Sequence, residues 1–283
     1  MPSENRSPVP PPRDLARLCI HTITTRPWAV EEAARRYAAA GVAGITVWRE
    51  ALEGRDPALV GARIRDHGLT VVSLCRGGFF AAGTAAARLR AVDENRRCID
   101  QAAALGAPLV VLVCGADPGQ DLAESRRQIE EGIAAVLPHA ASARVRLAVE
   151  PLHPMYAGDR SAVTMVRQAR EICWRLRSPW LGIALDVYHT WWDDHLETEI
   201  AACGREGLLF AFHLCDWLTP TADMLEDRGL MGEGCIPIQR IRGWMKAAGF
   251  AGFNEVEVFS RRHWASDQSR YLEEITAAYL ALA

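Results

Sequence analysis

Runs of apolar residues alternate with segments of helical period along most of this chain. The apolar runs are rich in β-branched residues, and each is followed by an Ala/Arg/Glu-rich segment. Near-continuous apolar runs are typical of parallel strands buried on both faces, with helices covering them. The pattern predicts strands near residues 16–22, 44–48, 70–75, 109–114, 146–150, 181–186, 208–214 and 253–258. It predicts helices near residues 30–40, 56–67, 85–105, 122–142, 161–175, 195–203, 238–248 and 267–282.

Eight strands and eight helices in strict alternation predict an α/β protein with a (β/α)8 TIM barrel as a single domain over residues 15–283. A doubly wound sheet would need a glycine-rich dinucleotide loop. The run Cys75-Arg-Gly-Gly-Phe79 lacks that spacing. Residues 1–14 contain a Pro-Pro-Pro run and are expected to form a flexible, proline-rich arm.

Chemistry is expected where the later strands end, because the active site of a (β/α)8 barrel lies at the carboxyl ends of its strands. The residues that end strands five to eight are Glu150, Asp186, His213 and Glu257. Each carboxylate taken alone also fits a helix N-cap or an ion pair. Together, three carboxylates and one imidazole would repel without a cation, so the set predicts a divalent metal site. An oxygen-rich set with one nitrogen favours Mn²⁺, with Mg²⁺, Co²⁺ or Zn²⁺ as alternatives to it.

Two further motifs lie close to these ligands in the sequence. His189 follows Asp186 by three residues, and the long loop after the seventh strand, roughly residues 215–237, reads Asp227-Arg-Gly-Leu-Met-Gly-Glu-Gly234. The ligands and this loop resemble those of the xylose isomerase-like barrels in the sugar phosphate isomerase/epimerase family, in particular ketose 3-epimerases such as D-tagatose 3-epimerase. The resemblance implies that Arg228 contacts the sugar and that His189 binds an oxygen near the reacting carbon.

The ligand types suggest a mechanism. A metal on a ketose carbonyl stabilises an enediolate, while Glu150 and Glu257 act as general base and general acid on opposite sides of the carbon. Returning the proton to the other face gives an epimerase, and returning it to the next carbon gives an isomerase. The run Glu150-Pro-Leu-His153 instead resembles C-glycoside deglycosidase catalytic subunits, which are lyases on 3-oxo sugars. His153 is a candidate substrate contact or a cap of the following segment.

Composition limits the kinds of molecule that the protein is expected to bind. The net charge of −3 and the pI of about 6.3 argue against binding of nucleic acid. Only His21 is available as an early-strand histidine, which argues against an endonuclease IV-like phosphodiesterase with its cluster of metals. The predicted partner is a small-molecule sugar. Because Lys246 is the only lysine, a free sugar is favoured over a sugar phosphate. Arginines can replace lysine in binding a phosphate group.

The cellular setting follows from two absences in the sequence. No apolar run is long enough to span a membrane, so no membrane association is expected. The eight cysteines include no Cys-x-x-Cys pair, which predicts reduced thiols and a cytoplasmic location. A homo-oligomer is compatible with the sequence, which does not determine the oligomeric state.

Overall fold

The barrel wall consists of eight parallel strands. The computed structural model describes residues 15–282, so the predicted arm at residues 1–14 lies outside the described residues. The strands are β1 (Leu18–His21), β2 (Gly44–Trp48), β3 (Thr70–Gly78), β4 (Leu109–Val113), β5 (Arg146–Val149), β6 (Leu181–Asp186), β7 (Leu209–Leu214) and, after the short strands β8 (Asp216–Trp217) and β9 (Arg228–Gly229), β10 (Asn254–Val256). They close in the order β1-β10-β7-β6-β5-β4-β3-β2, which confirms the predicted (β/α)8 barrel.

Helices surround this wall. They are α1 (Val30–Ala39), α2 (Pro57–Asp66), α3 (Ala85–Leu105), α4 (Leu122–Ala143), α5 (Val166–Leu176), α6 (Val187–Thr190), α7 (Leu196–Arg205), α8 (Ile238–Ala247), α9 (Arg261–Trp264) and α10 (Gln268–Leu282), with 3₁₀ turns at Arg49–Leu52 and Pro154–Tyr156. Every residue of β2, β4 and β6 is buried, as expected for strands covered on both faces. Among residues 15–282, no helix combines the length and apolar character needed to cross a membrane.

The segment 161–165 is not helical, although the sequence predicts a helix near residues 161–175. The backbone N–H of Ala162 donates to the Gly115 carbonyl over 2.9 Å, and the N–H of Leu152 donates to the Val163 carbonyl over 3.0 Å. Because these bonds hold the segment in extended form beside the end of β4, α5 begins only at Val166. Tertiary pairing outweighs the local preference for helix here.

The connection after β7 is the long loop that the sequence predicts at the active-site face. Inside it, β8 and β9 pair in antiparallel register, with Trp217 opposite Arg228. Asp216 holds the loop by accepting hydrogen bonds from the backbone N–H groups of Gly232 and Ile236, both over 2.9 Å. The loop is therefore anchored, and Arg228 has a defined position over the barrel.

Candidate functional site

Four strand-end residues meet at the carboxyl rim and are called the rim cluster below. They are Glu150, Asp186, His213 and Glu257, all buried, and their potential ligand atoms all lie within 4.8 Å of one another. The ladder continues one residue past two strands, because Glu150 donates its N–H to the Leu112 carbonyl and Glu257 to the Leu214 carbonyl. These bonds fix the backbone from which both carboxylates project. The structure thus brings together the four residues that the sequence nominates as metal ligands.

The rim cluster has the features of a cation site. Glu150 Oε1 lies 2.9 Å from His213 Nδ1, and apart from this ion-pair contact neither atom has a hydrogen-bond partner in the part of the chain described. Buried polar atoms are normally satisfied, so two such atoms at short range fit ligands that face a common ion. Three carboxylates with one imidazole form the mixed oxygen and nitrogen set that Mn²⁺, Mg²⁺, Co²⁺ or a catalytic Zn²⁺ accepts.

The electrostatics of the rim cluster also favour a cation. Burial raises the pKa of Asp186 to about 7, against the opposing charge of Arg228. Burial lowers the pKa of His213, but the surrounding carboxylates, led by Glu150, outweigh it and raise that pKa to about 10. Without an ion, the carboxylates of the cluster are thus balanced by protons, on His213 above all, and by Arg228. An ion that displaces these protons relieves the repulsion.

Asp186 serves two roles at the end of β6. Its Oδ1 accepts a 2.7 Å hydrogen bond from the backbone N–H of Tyr188 and so caps the short helix α6. Its Oδ2 faces Arg228 Nη1 at 3.0 Å. Asp186 is therefore a helix cap through one oxygen only. Its other oxygen leaves Asp186 a member of the rim cluster.

Arg228 reaches the rim cluster from the loop above it. One nitrogen, Nη1, lies 3.0 Å from Asp186 Oδ2 and 2.9 Å from Glu257 Oε2. The guanidinium carbon lies 4.3 Å from the ring centre of Tyr188 and 4.9 Å from that of Phe259. The side chain is buried, and its Nε has no hydrogen-bond partner within residues 15–282. Arg228 therefore orients two of the cluster's carboxylates and lines the space above them.

A cavity of about 420 Å³ opens above the rim cluster. Glu150 and Glu257 lie on its floor, and Arg228 and His189 on its wall. The remaining walls combine aliphatic and charged residues with five aromatic ones, Trp28, Trp48, Tyr156, Phe259 and Trp264. This volume suits a small molecule, and aromatic faces are common where proteins hold sugars and other compact ligands.

The architecture places the chain in a family. Residues 34–276 match the model of the xylose isomerase-like TIM barrel family. The chain belongs to that family. None of the curated proteins matches it in sequence.

Solved structures with the same fold include one of clear sequence similarity. Protein SMc04130 from Sinorhizobium meliloti 1021 is 43% identical, with a TM-score of 0.92 over 95% of this chain and 99% of that one. The IOLI protein with a bound zinc atom is 18% identical, with a TM-score of 0.81 over 94% and 97%. D-psicose 3-epimerase, solved in the presence of D-fructose, is 16% identical, with a TM-score of 0.76 over 93% and 96%. The last two likenesses establish the fold.

His189 faces the cavity of this xylose isomerase-like barrel. Its Nε2 lies 3.2 Å from Arg228 Nη2, and its Nδ1 has no hydrogen-bond partner in the described chain. Burial lowers the pKa of His189 well below its usual value, and the charge of Arg228 lowers it further. A neutral imidazole with an available nitrogen fits the predicted contact with a substrate oxygen.

His153 lies differently from the other predicted substrate contacts. Its Nδ1 accepts a 3.2 Å hydrogen bond from the N–H of Met155, which caps the 3₁₀ turn that follows. Its ring packs against Trp217 and Trp192, with ring centres 4.9 and 5.8 Å away. It does not line the described cavity. The capping alternative accounts for this position.

A layer of polar residues beneath the rim cluster was not predicted. Glu255 lies two residues before Glu257 and so points to the same side of β10, one layer deeper. His21 Nε2 lies 3.1 Å from Glu255 Oε2, and His21 Nδ1 lies 2.9 Å from Glu257 Oε1. Thr46 donates to Glu255 Oε2 over 2.7 Å, and His213 Nε2 lies 3.9 Å from that same oxygen. Such supporting groups orient metal ligands. The alternation in Asn254-Glu-Val-Glu257 is the sequence signal that could have revealed Glu255.

Proposed function

We propose that this protein is a divalent-metal-dependent sugar isomerase or epimerase that transfers a proton beside the carbonyl of a keto sugar or a related hydroxy-carbonyl compound. The observation that carries the proposal is the rim cluster, four buried side chains whose ligand atoms lie within 4.8 Å of one another, two of which, Glu150 and Glu257, line a cavity of about 420 Å³. Membership of the xylose isomerase-like family and a fold shared with D-psicose 3-epimerase support the same reaction class.

The proposed cofactor is one divalent ion held by Glu150, Asp186, His213 and Glu257. Mn²⁺ is our first choice, and the zinc in the IOLI neighbour makes Zn²⁺ a serious alternative. When bound, such an ion supplies Lewis-acid polarisation of a substrate carbonyl. Two other groups of ligand-type residues in the described chain share His213 or Glu257 with the rim cluster. This overlap favours one ion over the independent metal positions of a phosphodiesterase.

Proton transfer is assigned to Glu150 and Glu257. Burial raises the pKa of Glu257, but the positive groups around it, led by His21, outweigh burial and hold the pKa well below its usual value. Glu257 is therefore ionised at neutral pH, which is the state that a general base requires, while its lowered pKa makes it a weaker base than a free glutamate. Glu150, on the neighbouring part of the cavity floor, can exchange a proton at the opposite face. Return of a proton to the opposite face of the same carbon epimerises, and return to the neighbouring carbon isomerises.

The side chains on the cavity wall position the substrate. His189 Nδ1 and Arg228 Nε are buried and have no hydrogen-bond partner among residues 15–282, and both side chains line the cavity with Glu257. If the substrate carries a leaving group beside the carbon that loses its proton, the same residues support a lyase on 3-oxo sugars.

The reaction needs no nucleic acid or membrane partner. Seven of the eight cysteines are buried free thiols, which suits a reducing cytoplasm.

Solvent isotope exchange tests the proposed function directly. The metal-loaded protein is incubated in deuterium oxide with ketohexoses, their 3-oxo derivatives and hydroxypyruvate, and deuterium incorporation is followed by NMR. We expect exchange beside the carbonyl of at least one compound, with product analysis separating epimerase, isomerase and lyase. Absence of exchange from all three compound classes, in protein with one ion per chain, would contradict the assignment.

Replacing Arg228 tests the role of the loop. Arg228→Ala is expected to lower kcat/KM by about 10- to 1000-fold, on the order of 1.5–4 kcal/mol, because a charge-assisted contact to a substrate oxygen is lost. Metal content measured in the same samples shows whether the rim cluster survives. Arg49→Ala is the matched control, since Arg49 is half-buried and pairs with Glu94 and Gln101 away from the cavity lining. An unchanged kcat/KM in Arg228→Ala would limit the loop to a structural role.

A further inference from the structure

Five arginines line the cavity, and two of them have no carboxylate partner. Arg228 belongs with the rim cluster, while Arg26 and Arg55 are exposed and lie 3.9 and 3.2 Å from carboxylate oxygens of Glu226 and Glu31. The remaining two are Arg76 and Arg160. Neither guanidinium lies within 4.0 Å of a carboxylate oxygen of residues 15–282, and both are half-buried.

The fold directs Arg76 into the cavity. The register between β3 and β4 shifts between Cys75 and Gly77, so Arg76 lies in a bulge, a feature that re-aims a side chain. Gly78 secures the end of this strand, because the side-chain amide of Asn95 bonds to its N–H over 2.6 Å and to its carbonyl over 2.7 Å. The Arg76 guanidinium lies 4.5 Å from the ring centre of Phe79. Its position is thus set by the strand below and an aromatic ring beside it.

Arg160 is held on the neighbouring part of the rim. Its N–H donates to the Tyr156 carbonyl over 3.0 Å, and its carbonyl accepts from the Gly115 N–H over 2.8 Å. Its guanidinium lies 5.6 Å from the ring centre of Tyr156. One cationic side chain from β3 and one from the connection between β5 and α5 therefore line one cavity on anchored backbone.

The two charges act on each other. Burial lowers the pKa of Arg76, Glu50 opposes that shift, and the like charge of Arg160 adds to it. Glu50 lines the cavity too but does not come within ion-pair distance of Arg76. Glu50 and Glu150 thus act on Arg76 only from beyond ion-pair distance, so the guanidinium groups of Arg76 and Arg160 on the lining of one cavity are suited to a negatively charged group that enters it.

We propose that Arg76 and Arg160 form an anion subsite that binds a carboxylate or phosphate group of the substrate. The inference rests on the proposed function, because it adds a second anchor to the substrate whose carbonyl lies over the rim cluster. Guanidinium groups bind both anions through paired N–H donors. The substrate class is then an acidic carbonyl sugar, either a keto sugar acid or a sugar phosphate, and the shortage of lysine does not exclude the phosphate.

A comparison of matched substrates tests the subsite. Deuterium exchange is measured with D-fructose, D-fructose 6-phosphate and D-fructuronate, using the metal-loaded protein. We expect at least one charged compound to have a kcat/KM at least about 10-fold above that of D-fructose. Arg76→Met and Arg160→Met should each reduce this charged-to-neutral ratio by about 10-fold or more. Arg55→Met, at the same rim but paired with Glu31, should leave the ratio within about twofold of wild type.

Binding of inorganic phosphate and of malonate to chelator-treated protein gives a readout that needs no turnover. Calorimetry should show weaker binding in both variants by about 10-fold or more, and the probe that binds more tightly identifies the anion. Arg76→Lys, which keeps the charge but loses the paired donors, replaces Arg76→Met if that variant does not fold, and it should also weaken anion binding.

If no sugar exchanges deuterium but these anion effects appear, the proposed function fails and the subsite stands. If D-fructose exchanges as fast as the charged compounds and the variants bind both anions like wild type, the subsite is overturned and the proposed function stands.

Discussion

Exhaustive chelation is expected to abolish the proposed activity and to leave the fold intact. Activity should vanish because the proposed reaction depends on an ion held by the rim cluster, Glu150, Asp186, His213 and Glu257. Among residues 15–282, this is the only group of four ligand-type residues that lie close together. The fold should persist because a barrel of this size has an extensive apolar core and does not need a metal to hold it together. Far-UV circular dichroism and elemental analysis of the same samples check both halves of the expectation.

Reloading provides the control for this prediction. Adding back Mn²⁺, Mg²⁺, Co²⁺ or Zn²⁺ one at a time should restore activity to different extents, with one ion bound per chain. Turnover that persists in metal-free protein would remove the basis of the proposed function. Two or three ions per chain would instead favour a phosphodiesterase.

Glu150→Gln and Glu257→Gln are each expected to lower kcat by about 10²- to 10⁴-fold, the usual range for removing a positioned acid or base. Glutamine retains a carbonyl oxygen that can still bind metal but loses the basic oxygen. The fold and part of the metal content should therefore survive. Steady-state kinetics with metal analysis of each variant make the measurement. Glu226→Gln is the matched control, because Glu226 lines the same cavity but pairs with Arg261 outside the rim cluster.

The two glutamate variants should also differ in which epimer they still exchange with solvent. In an epimerase with a base on each face, each variant keeps one base and should still slowly exchange the α-proton of one epimer with solvent. Deuterium exchange from each purified epimer measures this. One inert variant beside one that behaves like wild type would rule out a mechanism shared by the two carboxylates.

Periodicity explains why so much of the barrel could be predicted. Apolar runs such as Leu181–Asp186 are buried on both faces, so their composition reports a central strand directly. The prediction failed at residues 161–165, where bonds to Gly115 and Leu152 outweigh helix preference. Gly115 is distant in sequence, and Leu152 lies beyond the reach of one helical turn, so helical period carries no record of either.

The candidate site also contains residues that the sequence could predict and residues that it could not. Glu150 and Glu257 could be nominated because polar residues at the ends of parallel strands must share one rim. Their surroundings could not be read from local pattern. His21 lies 234 positions from Glu255, the residue it bonds, and Arg228 lies 42 positions from Asp186.

By itself, then, the sequence predicted the (β/α)8 barrel and the four candidate ligands at its rim, because these depend on residue type and on period. Only the tertiary structure decided which side chains share the cavity. Barrel closure brings β10 beside β1, so His21 lies against Glu255 and Glu257. Arg76, at a bulge in β3, lines that cavity. Contacts of this kind depend on register and backbone direction across strands, which no short stretch of sequence encodes.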